Sequence, residues 1–150
     1  MIGVIEMIAI GCDHAGVEMK KAVIAALEEK GYELLDLGTD GEPCDYPVIA
    51  EKVCEEVLGD KCDKGILICG TGIGMSIAAN KIKGIRAALC SDSFSTKFTR
   101  LHNDSNVMCM GARVLGNGLA CELAEIFVTT GFEGGRHQRR IDLISALEDA

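Results

Sequence analysis

The chain has 150 residues, of which 48% are hydrophobic and 25% charged, and this composition suits one globular domain over residues 1–150. Its formal net charge of −8 argues against a general nucleic-acid-binding protein, which needs a basic surface. Residues 1–12 are mostly apolar, but Glu6 interrupts them and no basic segment precedes them, so we expect neither a signal peptide nor a membrane span.

The eight cysteines include no Cys-x-x-Cys pair and no spacing typical of a metal site. Because no export signal is present, we expect reduced thiols in a cytoplasmic protein rather than a disulfide framework. All of them except Cys69 are interpreted as small buried hydrophobes.

Short apolar runs alternate with amphipathic segments from residue 7 onward, after a leader at 1–6. The run at 7–12 stops at a polar cluster that begins with Asp13, and residues 17–30 then place apolar side chains at helical spacing, with Gly31 as a stop. Pro47 is placed to begin a second helix that Gly59 ends. The same alternation predicts strands at 32–37, 65–69, 85–90 and 107–110, and helices near 75–81, 94–101, 119–128 and from about Ile141.

This alternation predicts an α/β fold, with a Rossmann-like, doubly wound parallel sheet of about five strands in three α/β/α layers. Ligands of such sheets bind beyond the carboxyl ends of the strands, where the strand order reverses. Three predicted strand ends carry residues capable of chemistry, at 12–14, 69–72 and 90–92.

The segment between the third predicted strand and its helix is rich in glycine, and it is called the glycine loop below: Gly70, Thr71, Gly72, Ile73 and Gly74. Its N–H groups can converge on an anion. A dinucleotide fingerprint is one interpretation, and Asp92 lies at a suitable distance for a ribose, although Met75 stands where the third glycine belongs. A P-loop is less well supported because no Gly-Lys-Ser/Thr follows, and a tight turn without a ligand is the structural alternative.

Cys69 is the last residue of the strand, directly before the glycine loop. Amide dipoles at that position favour a thiolate. A thiolate there could remove a proton from carbon, so Cys69 is a candidate base.

Several short motifs together resemble the type B ribose-5-phosphate isomerases over essentially the whole chain. The matching segments are GCDHAG at 11–16, DYP at 45–47, ICGTGIG at 68–74, AAN at 78–80, GIR at 84–86, HND at 102–104, GAR at 111–113 and GGRHQ at 134–138. Some members of this family use a cysteine before the glycine loop as base, and others have serine there and a glutamate at the end of the loop. With Cys69 and Met75, this chain resembles the cysteine branch.

The resemblance implies a homodimer, or a dimer of such dimers, whose active sites lie between subunits and need no metal or organic cofactor. It implies that Cys69 is the base and that His102 acts as acid and base in opening the furanose ring, while the glycine loop faces the reacting carbons. It also implies that sugar hydroxyls are held by Asp13, Tyr46 and Asn103, and that the phosphate is held by His14, Arg113, Arg136 and Arg140.

These residue types suit aldose–ketose isomerisation, which moves one proton between adjacent carbons through an enediolate. The reaction needs one mobile base and donors for the developing oxyanion. Arginine suits the phosphate because its planar fork donates two parallel hydrogen bonds. Asp13 can alternatively cap a turn and Tyr46 can pack before Pro47, while His137 and Arg139 are interpreted as surface or dimer-contact residues.

The resemblance implies ribose 5-phosphate and ribulose 5-phosphate as the substrate pair. Similar proteins isomerise galactose 6-phosphate or allose 6-phosphate, so a hexose 6-phosphate is the alternative substrate. A nucleotide-binding module without catalysis is the alternative from another functional class, and it leaves Cys69 and His102 without roles.

Overall fold

The computed structural model describes residues 6–150, and within this range five parallel strands form one sheet in the order β2-β1-β3-β5-β4. The strands are β1 (Met7–Cys12), β2 (Glu33–Asp36), β3 (Lys64–Cys69), β4 (Ala87–Leu89) and β5 (Val107–Gly111). The helices are α1 (Val17–Glu29), α2 (Tyr46–Leu58), α3 (Ile73–Asn80), α4 (Ser93–Asn103), α5 (Asn117–Thr129) and α6 (Arg136–Ala146). The predicted α/β class and strand number are confirmed. Apart from Glu6, the predicted leader lies outside the described residues.

Alternate residues of the central strands pack against opposite faces of the sheet, because successive side chains of a strand point to opposite sides. In β1, Ile8 and Ile10 join the apolar cluster under α1 and α5, whereas Ala9 joins the cluster under α2 and α3. Helices therefore cover both faces, as the three-layer prediction requires. Helix α4 packs against α5, and α6 packs against α4. No helix within residues 6–150 is long and apolar enough to cross a membrane.

The strand order reverses between β1 and β3, the two strands at the centre of the site. β1 pairs with β2 on one side and with β3 on the other, and Cys12 lies opposite Ile68. On the far side of β3, Cys69 lies opposite Gly111 of β5. The carboxyl ends of β1, β3 and β5 thus meet at one edge, which is where a doubly wound sheet binds ligands.

Three predicted boundaries differ from the observed ones for local reasons. The predicted start of the last helix near Ile141 is wrong, because α6 begins at Arg136, directly after two glycines with positive φ. Its first turn is polar and gives no apolar periodicity. Helix α3 begins at Ile73, two residues before the predicted start, and β4 is shorter than the predicted 85–90 because it is an edge strand with one neighbour.

Candidate active site

Cys69 ends β3 as a buried thiol, and the glycine loop turns around its sulfur into α3. The backbone N–H of Gly72 donates a hydrogen bond to Cys69 Sγ at 3.1 Å. Gly72 has a φ of 80°, a left-handed conformation that glycine adopts without steric cost. A backbone donor is therefore directed at the sulfur of the candidate base.

Close backbone contacts fix the position of the glycine loop. A Cβ atom added to Gly111 of β5 would lie 2.6 Å from the carbonyl oxygen of Thr71, so only glycine lets the loop lie this close to β5. A Cβ atom added to Gly74 would lie 2.7 Å from Cζ of Tyr46, which places the Tyr46 ring directly against the loop. The Tyr46 residue therefore both begins α2 and borders the site.

Arg113 and Asp13 join this group from the neighbouring strands. The backbone N–H of Arg113 donates to the carbonyl of Gly70 at 2.9 Å, and its guanidinium lies beside the Gly70 Cα. The Asp13 N–H donates to the carbonyl of Ile68 at 3.1 Å, and its carboxylate accepts from the Ala15 N–H, so Asp13 does cap the turn after β1. The exposed His14 follows at the same edge.

A second group of predicted site residues lies on α4 and α6. These helices border a pocket of about 600 Å³. It is lined by His102, Asn103, Arg136, His137, Arg140, Ile141 and Ile144. The guanidinium-bearing residues of the C-terminal segment thus face the imidazole of His102 rather than the glycine loop. The predicted site residues form two groups within one chain.

His137 is not a surface residue, because it is only 7% exposed within the chain. Its interpretation as a surface residue is therefore wrong, and a dimer contact stays a prediction. Its ring stacks on that of His102, with centroids 4.1 Å apart and planes 15° from parallel. Partial desolvation, followed by the neighbouring His102 and Arg136, lowers the pKa of His137, which favours the neutral imidazole. Arg139 is exposed, as interpreted.

Sequence reasoning also missed the two arginines that hold the end of α4. Arg86 donates to the carbonyls of Asn103 and Asp104, both at 2.9 Å, and Arg100 donates to the Asp104 carboxylate at 2.9 Å. These bonds fix the turn directly after His102. Arg86 stands in one of the matching motifs, which is the signal that could have identified it.

Two observations bear on the open alternatives. Asp92, the candidate ribose ligand of a dinucleotide site, caps α4 by accepting from the Ser95 N–H at 2.7 Å. Burial raises the pKa of the other seven cysteine thiols, to about 11 for Cys12 and about 12 for Cys54. Those thiols stay protonated at neutral pH. Five of them are buried as expected: Cys12, Cys54, Cys62, Cys90 and Cys109. The interpretation is wrong for Cys44 and Cys121, which are only partly buried.

A thiol that ends a central strand, beside a glycine loop bordered by the guanidinium of Arg113, defines an α/β protein equipped to bind and transform a small anion. The chain belongs to the ribose/galactose isomerase family, whose model matches residues 8–144, and it is an isomerase. It is 49% identical over 142 residues to ribose-5-phosphate isomerase B of Escherichia coli (strain K12), which covers 94% of this chain and 95% of that protein.

Two further relatives extend the comparison. The structure of ribose-5-phosphate isomerase B from Clostridium thermocellum superposes with a TM-score of 0.93 at 45% identity, covering 95% of this chain and 97% of that one. A D-erythrulose-4-phosphate isomerase of Pectobacterium atrosepticum is 40% identical over 143 residues, 94% of each chain. The predicted family is confirmed, and the family includes proteins named for different sugar phosphates.

Proposed function

We propose that the chain interconverts D-ribose 5-phosphate and D-ribulose 5-phosphate through an enediolate, with Cys69 as the base. The observation that carries this proposal is the hydrogen bond from the Gly72 N–H to Cys69 Sγ, at the carboxyl edge of a central strand. It directs an N–H donor at the sulfur in the place where a doubly wound sheet binds its ligand, and the proposal is that this sulfur acts as a thiolate. The 49% identity to a ribose-5-phosphate isomerase supports the pentose.

The proposed chemistry needs one proton transfer between carbons. The Cys69 thiolate removes the proton from C2 of the open-chain aldose, and the electron pair forms the double bond of the enediolate as the C1 carbonyl oxygen gains negative charge. The N–H groups of Gly72 and Ile73 already donate to Cys69 Sγ and Thr71 Oγ1, and other N–H groups of the glycine loop are proposed to donate to this oxyanion and lower the barrier. A proton then passes from the C2 hydroxyl to the C1 oxygen, and the carbon-bound proton returns from Cys69 to C1, which gives the ketose and restores the thiolate.

His102 is proposed to open the furanose ring before that step. An imidazole can accept the proton of the anomeric hydroxyl and deliver a proton to the ring oxygen as the C1–O bond breaks. Its position at the end of α4, held by Arg86 and Arg100, suits a group that must point consistently at one ring. Asp13, Tyr46 and Asn103 are proposed to hold the sugar hydroxyls.

The phosphate is proposed to bind His14, Arg113, Arg136 and Arg140. Arg136 and Arg140 lie one helical turn apart on α6 and line one pocket with His102, so a phosphate there would place the sugar beside the imidazole. Arg113 and His14 lie at the other group, beside the glycine loop and the end of β1. One phosphate can contact all four of these residues only if the group at the glycine loop and the group on α4 and α6 come together.

We propose that a homodimer brings the groups together, with His102 of one subunit completing the site of its partner's Cys69. Support comes from α4, on which Phe94, Phe98 and His102 are spaced four residues apart: the Phe94 ring stacks on that of Phe98, and Phe98 meets His102 edge to face. Phe94 is 71% exposed. Other large exposed apolar residues lie at or after the carboxyl ends of β3, β4 and β5: Ile73, Ile77, Leu89 and Val114. Such a surface is typical of a protein interface.

Turnover of a panel of aldose phosphates tests the reaction and the substrate. Purified protein in EDTA is incubated separately with ribose 5-phosphate, galactose 6-phosphate, allose 6-phosphate and erythrose 4-phosphate, and ketose formation gives kcat/KM. The highest value is expected for ribose 5-phosphate. A higher value for another sugar would replace the pentose in this proposal, and no ketose from any of them, beside binding of NAD, would favour a nucleotide-binding module.

Co-refolding of two inactive variants tests the shared site. Cys69→Ala and His102→Ala chains are unfolded, mixed and refolded, so about half of the dimers are mixed and about a quarter of all sites are intact. Recovery of about a quarter of the wild-type activity is expected, beside controls in which each variant is refolded alone. No recovery, with mixed dimers verified by mass spectrometry, would contradict the shared site and leave the isomerase chemistry standing.

A further inference from the structure

Three metal-ligating side chains converge at the stacked histidines. His102 on α4, His137 on α6 and Glu133 in the segment between α5 and α6 each offer a ligand atom, and these atoms all lie within 4.8 Å of one another. His102 Nε2 is 3.6 Å from the Glu133 carboxylate. Two imidazoles and a carboxylate form a ligand set that zinc uses in proteins.

A second observation points to a ligand at the same place. The Nε2 atom of the buried His137 is the one buried side-chain nitrogen or oxygen without a hydrogen-bond partner in the described part of the chain. Buried polar atoms are almost always satisfied, by protein, water or an ion. A metal ion coordinated by His137 would supply the missing partner.

Coordination of one ion by all three residues requires side-chain movement. Tetrahedral zinc places its nitrogen and oxygen ligands about 2.0–2.2 Å from the metal, so neighbouring ligand atoms lie about 3.4 Å apart. The lone pairs of an imidazole lie in its ring plane, so one of the two stacked rings must rotate for both to bind one ion. The side chains of His102 and Glu133 are 36% and 55% exposed, and both have room to move towards His137.

We propose that His102, His137 and Glu133 form an inhibitory site for a borderline-soft divalent cation, with zinc as the best fit. Imidazole ligands favour Zn²⁺ and Co²⁺, whereas Mg²⁺ and Ca²⁺ prefer sites built from oxygen. The bound ion would occupy the His102 imidazole, which could then no longer move protons. Metal binding is independent of the proposed function, whereas the inhibition rests on the proposed role of His102.

The neighbouring arginines set a limit on this site. Arg136 and Arg140 border the same pocket and oppose a cation, and they are the proposed contacts of the substrate phosphate. The affinity of the site for the metal should therefore change when the sugar phosphate is bound, and the affinity for the sugar phosphate should change when the metal is bound. We expect the ion to bind the resting enzyme and to act on turnover by removing His102 from the catalytic cycle.

Metal titrations of the whole chelator-treated protein test this site. Co²⁺ binding is followed by visible absorption and Zn²⁺ by competition, in wild type and in Glu133→Gln, Asp142→Asn and Cys69→Ala variants. Asp142 is an exposed acid on α6 outside the cluster, so Asp142→Asn matches the charge change of Glu133→Gln. We expect one ion per chain with nitrogen and oxygen ligation in wild type, Asp142→Asn and Cys69→Ala, and affinity lower by about tenfold or more in Glu133→Gln.

Turnover is measured in parallel at buffered free Zn²⁺ concentrations. Wild type and Asp142→Asn should be inhibited, and EDTA should restore them, while Glu133→Gln should keep its metal-free kcat/KM and resist zinc. Equal zinc affinity in Glu133→Gln and Asp142→Asn, or loss of binding in Cys69→Ala, would overturn the site. Binding as expected without inhibition, at zinc concentrations that keep the site occupied in the presence of substrate, would overturn the inhibitory role but not the isomerase activity.

Discussion

Replacing Gly72 by alanine tests whether the glycine loop is as tightly constrained as its contacts indicate. Gly72 has a φ of 80°, and a left-handed backbone costs a residue with a Cβ atom roughly 1–2 kcal/mol. The added Cβ would lie 2.8 Å from the carbonyl carbon and 3.0 Å from the carbonyl oxygen of Met110, which are backbone atoms of β5 and cannot rotate away. Overpacking of this kind costs roughly 1–3 kcal/mol.

Together these terms predict that Gly72→Ala lowers the free energy of unfolding by about 2–5 kcal/mol. Urea unfolding measures this loss, provided that the slope of the unfolding free energy against urea concentration is the same in the variant and the wild type. Gly118 of α5 provides the matched control, because nothing lies within 4 Å of its Cβ position, and Gly118→Ala should stabilise the protein by about 0.5–1 kcal/mol. A loss below about 1 kcal/mol in Gly72→Ala would refute the close packing of the loop on β5.

Three further predictions concern the phosphate, a buried ion pair and pH. Arg136→Ala should raise KM for ribose 5-phosphate more than KM for an analogue without phosphate. Replacement of the exposed Arg139 by alanine is the control and should not have this effect. An equal rise in KM for both sugars would show that Arg136 supports the fold rather than the phosphate. Lys20 is 1% exposed and its Nζ lies 2.8 Å from Asp36, so Asp36→Asn should cost about 1.5–3 kcal/mol in urea unfolding, and no change would contradict a stabilising pair. Burial raises the pKa of Cys54 from 9.0 to about 12, so the unfolded chain loses this proton first and stability falls as pH rises above 9.0. Cys54→Ala should make the unfolding free energy fall less steeply with pH above 9.0. The same dependence on pH in the variant and the wild type would contradict this prediction.

The strand–helix alternation was sufficient to predict the fold because the central strands β1, β3 and β5 contain apolar runs bounded by polar or glycine residues. It also predicted Cys69 before a strand-to-helix loop, since both features are local in sequence. The start of α6 at Arg136 could not be read from periodicity, because its first turn carries no apolar stripe.

The missed features depend on contacts between segments that are distant in sequence. His137 is buried because α6 packs its ring against His102 of α4, and the approach of Glu133 depends on the path between α5 and α6. A polar sequence such as that of residues 136–140 gives no sign of which side chain the neighbouring helix will cover.

Proton transfer by Cys69 is the central claim, and ¹H NMR of ribose 5-phosphate in D₂O, with wild type beside Cys69→Ala, tests it most directly. The spectra follow ketose formation and the replacement of hydrogen by deuterium at C1 and C2. The wild type should form ribulose 5-phosphate, while Cys69→Ala should stay folded and bind the sugar but isomerise it more slowly by about 10²–10⁴-fold or more. Isomerisation by a folded Cys69→Ala variant at the wild-type rate would contradict the account.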